Sequence, residues 1–334
     1  MAERHGGDLL EATRRFGLPP GGWLDLSTGI NPDPWPAGPL PPAALSRLPQ
    51  QDDRLEAAAR RYYRAPAVLA VPGSQSAIQW LPSLRPPSRV AVLGPTYGEH
   101  ARNWRLWGHE VVELGVDALE AQLERWAVVV VVNPDNPTGR RLVPSRLLAW
   151  REALAGRGGW LVVDEAFTDV APELSLAPHS AAPGLIVLRS LGKFFGLAGL
   201  RVGFVCAETD LLARLAERIG PWAVNGPARW WGTQALEDRA WQDRCRAALA
   251  SAARRLDAAL AVHGLTPAGG CSLFRWLPGE GAVRWQEALA QTGVWSRVYP
   301  RPLGLRLGLP PEADWERLER ALAQAARWLQ PGSD

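Results

Sequence analysis

Residues 190–203 read SLGKFFGLAGLRVG and contain Lys193, the only lysine in a chain of 334 residues. The other 36 of the 37 Lys and Arg residues are arginines, which indicates that position 193 specifically requires a lysine. An arginine side chain stays protonated and is a poor nucleophile, whereas a lysine amine can lose its proton and condense with a carbonyl. A surface lysine is the ordinary alternative, but the glycine-rich neighbours of Lys193 favour a chemical role.

The composition predicts a globular α/β enzyme. Hydrophobic residues make up 47% of the chain, and its length suffices for a large domain and a smaller one. The formal net charge is only +3, and the arginines are interleaved with 34 acidic residues, a pattern of solvated helix faces. The 17 tryptophans are scattered, which favours packing over base stacking. We therefore expect no nucleic-acid partner.

The three cysteines are Cys206, Cys245 and Cys271, and they form no CxxC pair. With no paired histidines nearby, they predict no metal site, and their odd number favours a reducing compartment, the cytoplasm. No run approaches the ~20 apolar residues that a membrane-spanning helix needs. We therefore expect no membrane partner.

Short β-rich segments alternate with helical segments through most of the chain. The predicted strands are Val90–Leu93, Val128–Val132, Trp160–Val163, Leu185–Leu188 and Val202–Cys206. The predicted helices are Ser74–Leu81, Tyr97–Trp107, Pro144–Ala155 and Leu211–Ile219. Apolar, β-branched strands of this kind are covered on both faces, so the pattern indicates an α/β domain with a mostly parallel central sheet and helices on both faces.

The pattern changes near Trp230. The elements predicted beyond it are helices over Trp241–His263 and Pro311–Leu329 and strands over Ser272–Trp276 and Gly304–Leu309. We expect residues 49–230 to form the large domain and residues 231–334 a smaller α+β domain. Residues 1–48 are expected to form an N-terminal segment that joins the small domain.

Three motifs follow predicted strands, where an open α/β sheet binds its ligand. Residues 72–76 read PGSQS, and their amides and hydroxyls could hold a phosphate, although a helix cap explains Ser74 equally well. Residues 133–139 read NPDNPTG, a constrained turn that leaves Asn136 to reach a ligand. Asp164 ends a strand, where it could pair with a protonated ring nitrogen or cap the next turn.

Together these residues resemble the fold type I pyridoxal-phosphate enzymes of the class I/II aminotransferase superfamily, over about residues 25–308. The resemblance implies pyridoxal 5'-phosphate as cofactor. It implies catalytic roles for Lys193, which would bind the cofactor covalently, for Asp164 at the ring nitrogen and for Tyr97, stacked on the ring. Asn136 would contact the ring hydroxyl. The residues implied for the cofactor phosphate are Gly73, Ser74, Gln75, Ser190 and Arg201.

The resemblance also implies a substrate site. Arg306, in the sequence LRLG, matches the family arginine that binds the substrate α-carboxylate with two parallel hydrogen bonds. The substrate phosphate would be bound by His5, Asn31 and Arg297, with Gly29 nearby and Arg301 as a further candidate. Surface ion pairing is the ordinary alternative for both arginines.

Two positions depart from the family pattern. Phe167 stands where relatives often have a tyrosine that supports the ring oxygen. Leu48 stands where many have a tyrosine that reaches the cofactor phosphate of a neighbouring subunit. A homodimer is still expected.

Within the superfamily the chain is most similar to the threonine-phosphate decarboxylases of cobalamin biosynthesis. The motifs that carry this similarity are HGGD at residues 5–8, STGINP at 27–32 and GKFF at 192–195. The implied reaction is decarboxylation of a phosphorylated amino acid, L-threonine O-3-phosphate. Histidinol-phosphate aminotransferase, which shares the architecture and also acts on an amino substrate with a phosphate, is the alternative.

A regulator that binds pyridoxal phosphate is the non-enzymatic alternative. Such regulators usually carry a separate DNA-binding module, and the motifs of the large domain begin by Asp25. We therefore expect an enzyme.

Overall fold

The computed structural model of the chain describes residues 5–50 and 54–330. The helices are α1 Leu9–Phe16, α2 Ala43–Ser46, α3 Leu55–Tyr63, α4 Ser74–Trp80, α5 Glu99–Leu106, α6 Val116–Glu120, α7 Pro144–Ala155, α8 Thr209–Ile219, α9 Gly226–Glu237, α10 Arg239–Ala261, α11 Ala282–Gln291 and α12 Trp315–Leu329. The strands are β1 Leu24–Asp25, β2 Leu69–Val71, β3 Arg89–Leu93, β4 Glu110–Leu114, β5 Val128–Val132, β6 Trp160–Asp164, β7 Leu185–Ser190, β8 Gly203–Cys206, β9 Gly269–Cys271, β10 Phe274–Pro278, β11 Val294–Trp295, β12 Arg297–Pro300 and β13 Leu303–Gly308. Among the described residues, no helix is both long and apolar enough to cross a membrane.

The chain divides into two compact units. The smaller unit comprises Met1–Asp33, Pro137–Gly139 and Arg244–Asp334, and the larger comprises Pro34–Asn136 and Arg140–Asp243. In this division residues 34–48 and 231–243 belong to the larger unit, whereas the sequence pattern assigned them to the small domain. The outermost residues of the predicted domains, 1–4 and 331–334, lie outside the described part of the chain.

The larger unit is built on a seven-stranded sheet with the strand order β2-β8-β7-β6-β5-β3-β4. The predicted parallel pairing is confirmed for β3, β5, β6 and β7, and β4 also pairs parallel with β3. Strand β8 is antiparallel to both of its neighbours, β2 and β7. The edge strand β4 was not predicted, because its sequence EVVEL is only half-buried and lacks the apolar run of a central strand.

Both faces of this sheet are covered, as the apolar strands predict. All five valines of β5 are buried. Val128 and Val130 belong to a core cluster with residues of α4, α5 and α8, such as Ile78, Trp104 and Leu215. Because side chains alternate along a strand, the valines between them point to the opposite face. Helix α7, which packs on β6, buries the apolar residues Leu147, Trp150 and Leu154.

The smaller unit contains an antiparallel four-stranded sheet with the order β12-β13-β10-β9. Helices α11 and α12 pack together, and α11 also contacts β13. Strands β1 and β11 form a separate parallel pair in which Leu24 lies opposite Val294. The predicted strands Ser272–Trp276 and Gly304–Leu309 are present with shifted bounds as β10 and β13. Strands β1, β9, β11 and β12 have only two to four residues each, too few for a periodic signal.

Candidate active site

The residues implied for cofactor binding follow strands that end at one edge of the large sheet. Asp164 is the last residue of β6 and lies opposite Val132 of β5 and Leu188 of β7. Ser190 ends β7 and lies opposite Gly203, the first residue of the antiparallel strand β8. Val71, the last residue of β2, also lies opposite Gly203. The register therefore places the segments after β2, β5, β6 and β7 next to one another.

Gly73 and Arg201 form a cradle after β2. Gly73 has a positive φ of 75°, and a Cβ added there would lie 2.9 Å from Nη2 of Arg201. The guanidinium thus lies against the main chain that leads into α4. A Cβ added at Gly203 would lie 2.6 Å from the amide nitrogen of Ser74, so this approach also requires glycine. A guanidinium, a serine hydroxyl and main-chain amides make a donor set that suits a phosphate.

Ser190 completes this part of the site from the end of β7. Its side chain is largely buried, and its hydroxyl accepts a hydrogen bond from the amide of Gly192 at 3.2 Å. This bond fixes the turn that precedes Lys193. The positions of Gly73, Ser74, Ser190 and Arg201 therefore fit the phosphate-binding role that the sequence implied.

The carboxylate of Asp164 is buried and held on both oxygens. Oδ1 accepts a hydrogen bond from the amide of Ala166 at 3.0 Å, the capping interaction that was the ordinary alternative for this residue. Oδ2 lies 2.9 Å from Nε2 of His100. The side chains of Asp164 and His100 are only 5% and 1% exposed, so this contact gives both buried groups a polar partner in place of water. The role of His100 could not be predicted from the sequence, because helix α5 brings it to Asp164 from 64 residues away.

Tyr97 lies just before α5, and its hydroxyl donates a hydrogen bond to Oε1 of Gln75 at 3.2 Å. The side-chain nitrogen of Gln75, Nε2, donates a hydrogen bond to the carboxylate of Glu99 at 3.1 Å. The side chain of Gln75 is therefore engaged with Tyr97 and Glu99, and a phosphate contact by Gln75 would use its main-chain amide.

Lys193 lies above the ring of Phe167, with Nζ 5.4 Å from the ring centre. Phe167 is buried and brings no hydroxyl to this position. Leu48, the other departure from the family pattern, is 64% exposed. It lines a cavity of about 370 Å³ on the larger unit together with Arg229 and Trp230.

The NPDNPTG turn after β5 is held by the side chain of Asn133. Its amide nitrogen donates to the carbonyl of Leu142 at 3.0 Å, and its amide oxygen accepts from the nitrogen of Leu142 at 2.9 Å. The hydroxyl of Thr168 donates to the carbonyl of Asn133 at 2.6 Å. These bonds fix the start of the turn that carries Asn136, which is 8% exposed.

A buried arginine joins the ends of β6 and β7. Arg189 donates hydrogen bonds to the carboxylates of Glu165 and Asp169 and stacks on the ring of Tyr63, 4.4 Å from its centre. Burial lowers the pKa of Arg189, but the two carboxylates more than offset this, so its pKa lies well above the ordinary value. Burial raises the pKa of Glu165. Since Glu165 follows Asp164 and Arg189 precedes Ser190, the ion pair holds both site residues in place.

In the smaller unit, Arg306 lies on the central strand β13, opposite Trp276 of β10 and Arg297 of β12. It is 3% exposed, and Nη2 donates to the carbonyl of Ser27 at 2.6 Å. Its guanidinium lies 5.6 Å from the ring centre of Tyr299. Burial lowers its pKa, yet a guanidinium remains protonated, so the unit holds a desolvated positive charge. This is the chemistry that binds a carboxylate.

The HGGD and STGINP motifs pack against each other. The amide of Gly7 donates to Oγ of Ser27 at 2.7 Å, and a Cβ added at Gly6 would lie 2.3 Å from the carbonyl oxygen of Ser27. Only glycine permits this approach. His5, Ser27 and Arg297 all line one cavity of about 780 Å³ in the smaller unit.

The other residues implied for the substrate phosphate do not line this cavity. Asn31 is buried, and its amide donates to Sγ of Cys245 at 3.2 Å and accepts from the amide of Asp33 at 3.0 Å. Gly29 is buried, and Arg301 is exposed just before β13. Burial raises the pKa of Cys245 to about 11, so its thiol is neutral and suited to this contact.

We predict that Arg306→Lys weakens binding of the substrate carboxylate, because a lysine keeps the charge but loses the paired hydrogen bonds of the guanidinium. Arg306→Ala should cost ~2 to 4 kcal/mol, seen mainly as a higher KM. The matched control is Arg275→Lys, since Arg275 lies on β10 next to Trp276 and pairs with Asp257. Steady-state kinetics with unchanged KM in Arg306→Ala would remove Arg306 from the substrate site.

Comparison with known proteins independently supports the resemblance to the class I/II aminotransferases. Residues 43–324 match the family described as aminotransferase class I and II. The chain is 52% identical to a threonine-phosphate decarboxylase of Pseudomonas aeruginosa, covering 95% of this chain and 96% of the relative. It is 46% identical to a threonine-phosphate decarboxylase of Sinorhizobium sp, covering 96% and 97%. A histidinol-phosphate aminotransferase from Clostridium acetobutylicum has the same fold, with a TM-score of 0.81 at 18% identity over 92% of this chain and all of that one.

Proposed function

Since the chain belongs to the class I and II aminotransferase family, and within it to the threonine-phosphate decarboxylases, we propose that it decarboxylates L-threonine O-3-phosphate with pyridoxal 5'-phosphate as cofactor. The products are (R)-1-amino-2-propanol O-2-phosphate and carbon dioxide, a step of cobalamin biosynthesis. The observation that carries this proposal is the 52% identity over nearly the full length of both chains. The enzyme is accordingly a carbon–carbon lyase.

The residues of the larger unit fit the proposed cofactor. The cradle of Gly73 and Arg201, with the hydroxyls of Ser74 and Ser190, suits its phosphate. The buried carboxylate of Asp164 suits a protonated ring nitrogen. The cofactor, when bound, accepts the electron pair released when a bond to the substrate Cα breaks.

Each catalytic residue then has a definite task. Lys193 would hold the cofactor aldehyde covalently until the substrate amine takes its place. The freed Lys193 amine, or a water, would then supply the proton that Cα gains when carbon dioxide leaves. Asp164, oriented by His100, would hold a proton at the pyridine nitrogen and so keep the ring able to accept electrons. Tyr97 would stack on the ring, and Asn136 would contact its hydroxyl.

Substrate placement decides which bond breaks. The bond held perpendicular to the cofactor ring is the one that is cleaved, so decarboxylation requires the carboxylate to stand out of the ring plane. We propose that Arg306 binds this carboxylate and that His5 and Arg297 bind the substrate phosphate. For Gly29 and Asn31, which do not line the cavity of these two residues, a role at the phosphate stays a prediction from the resemblance. Support comes from the buried charge of Arg306 and from the cavity that His5 shares with Arg297.

We also propose that the enzyme is a cytoplasmic homodimer. The three cysteines are free thiols, as expected in a reducing compartment. The larger unit exposes apolar side chains on α2 and α9 and between α2 and α3, namely Leu45, Leu48 and Trp230, which a second copy could cover.

A substrate comparison tests the proposed reaction. We expect purified holoenzyme to release carbon dioxide from L-threonine O-3-phosphate and to form little glutamate from histidinol phosphate and 2-oxoglutarate. Unphosphorylated L-threonine should be a poor substrate, because it lacks the group that fixes its orientation. Rapid glutamate formation from histidinol phosphate, with no carbon dioxide from phosphothreonine, would replace the proposal with an aminotransferase.

A further inference from the structure

Glu99, the first residue of α5, is a buried carboxylate that the proposed mechanism does not use. It is 7% exposed. One of its oxygens accepts hydrogen bonds from Nε2 of Gln75 at 3.1 Å and from Nδ2 of Asn103 at 3.2 Å. A buried carboxylate is costly unless it is well bonded, and here the partly exposed guanidinium of Arg102 also lies 3.5 Å from the same oxygen.

The charge of Glu99 determines how the amide of Gln75 is oriented. A carboxylate accepts hydrogen bonds but cannot donate them, so the NH₂ group of Gln75 must face Glu99. The amide oxygen of Gln75 then faces the hydroxyl of Tyr97, which lies 3.2 Å away and donates to it. The hydrogen bonds thus run in one direction, from Tyr97 to Gln75 to Glu99.

This chain of bonds anchors the ring of Tyr97 at its hydroxyl end. The ring of Tyr97 also contacts the imidazole of His100 edge-on, with ring centres 6.1 Å apart and an interplanar angle of 84°. Glu99 and His100 are neighbours in sequence, and His100 bonds to Asp164. The start of α5 therefore contacts both residues that are expected to touch the cofactor ring.

We propose that Glu99 is a positioning residue, which fixes the ring of Tyr97 through the amide of Gln75 and thereby strengthens retention of the cofactor. This inference rests on the proposed function, since it concerns the residue on which the cofactor stacks. A purely structural role, in which Glu99 only ties α4 to α5, makes a different prediction about Tyr97.

A double-mutant cycle separates the two roles. Holoenzymes of the wild type, Glu99→Gln, Tyr97→Phe and the double variant are diluted, and the rate of cofactor release is followed by the loss of visible absorbance. Glu99→Gln keeps the shape of the side chain but lets the Gln75 amide turn. We expect it to speed release about three- to tenfold, the effect of weakening one charge-assisted hydrogen bond. In the Tyr97→Phe background the same change should alter release by less than about twofold.

The matched control is Glu113→Gln. Glu113 lies on β4, is half-exposed and pairs at 3.1 Å with Arg105, which is near the other end of α5, so the control makes the same chemical change away from Tyr97. Its release rate should equal that of the wild type. Equal acceleration by Glu99→Gln in both backgrounds, or none in either, overturns the positioning role alone. A wild-type protein that takes up no cofactor overturns the proposed function as well.

Discussion

Replacing Lys193 with alanine is expected to remove the visible absorbance of the purified enzyme and to lower turnover by at least about 10³-fold. The reason is that the chain has no second lysine to take over the reaction with the cofactor aldehyde. Lys193→Arg is the informative companion, because it keeps the positive charge near Phe167 but cannot condense with a carbonyl. It should be as inactive as the alanine variant.

Borohydride reduction provides a direct check of the same prediction. With one lysine in the chain, digestion of the reduced holoenzyme should give a single phosphopyridoxyl peptide, and that peptide should contain Lys193. Full activity in Lys193→Ala, or a reduced holoenzyme with no labelled peptide, would contradict the assignment of the cofactor.

The second large effect is expected at Asp164. Asp164→Asn keeps the shape of the side chain and can keep the bond from Ala166, but it removes the negative charge that would hold a proton on the pyridine nitrogen. We expect kcat to fall about 100- to 1,000-fold, because a preorganised charge is lost at the point where the ring accepts electrons. Substrate affinity should change much less.

The control for Asp164 is Asp210→Asn, the same substitution at an exposed position in the first turn of α8. Its kinetics should match those of the wild type, and thermal unfolding of both variants should show that each is folded. If kcat in Asp164→Asn equals the wild-type value, Asp164 does not control the ring nitrogen.

The sequence predicted the central strands of the large sheet because valine runs such as Val128–Val132 have a strong local signal. It also placed Ser74 and Asn136 after strands and Asp164 at the end of one, and the register confirms that those strands end at one edge. The strand β4 was missed because an edge strand with polar residues resembles a loop.

Residues that act through distant contacts could not be found in this way. No sequence motif includes His100, Glu99 or Arg189. The interactions of each residue are with a partner that is distant in sequence and that the fold brings into contact. The sequence does not show which carboxylates and arginines are buried, so these residues can be singled out only from the structure. The same holds for Gly6. Its position requires a glycine because the main chain there lies too close to the carbonyl of Ser27 for a side chain.

In the proposed reaction, the bond between Cα and the carboxylate breaks while the bond between Cα and its hydrogen stays intact. The most direct test uses L-threonine O-3-phosphate labelled with ¹³C in the carboxylate, with the reaction run in D₂O. Decarboxylation predicts labelled carbon dioxide and an aminopropanol phosphate that carries one deuterium and the original hydrogen at C1. Recovered substrate should contain no deuterium at Cα. Exchange of the Cα hydrogen for deuterium in the substrate, without release of labelled carbon dioxide, would show that the enzyme is not a decarboxylase.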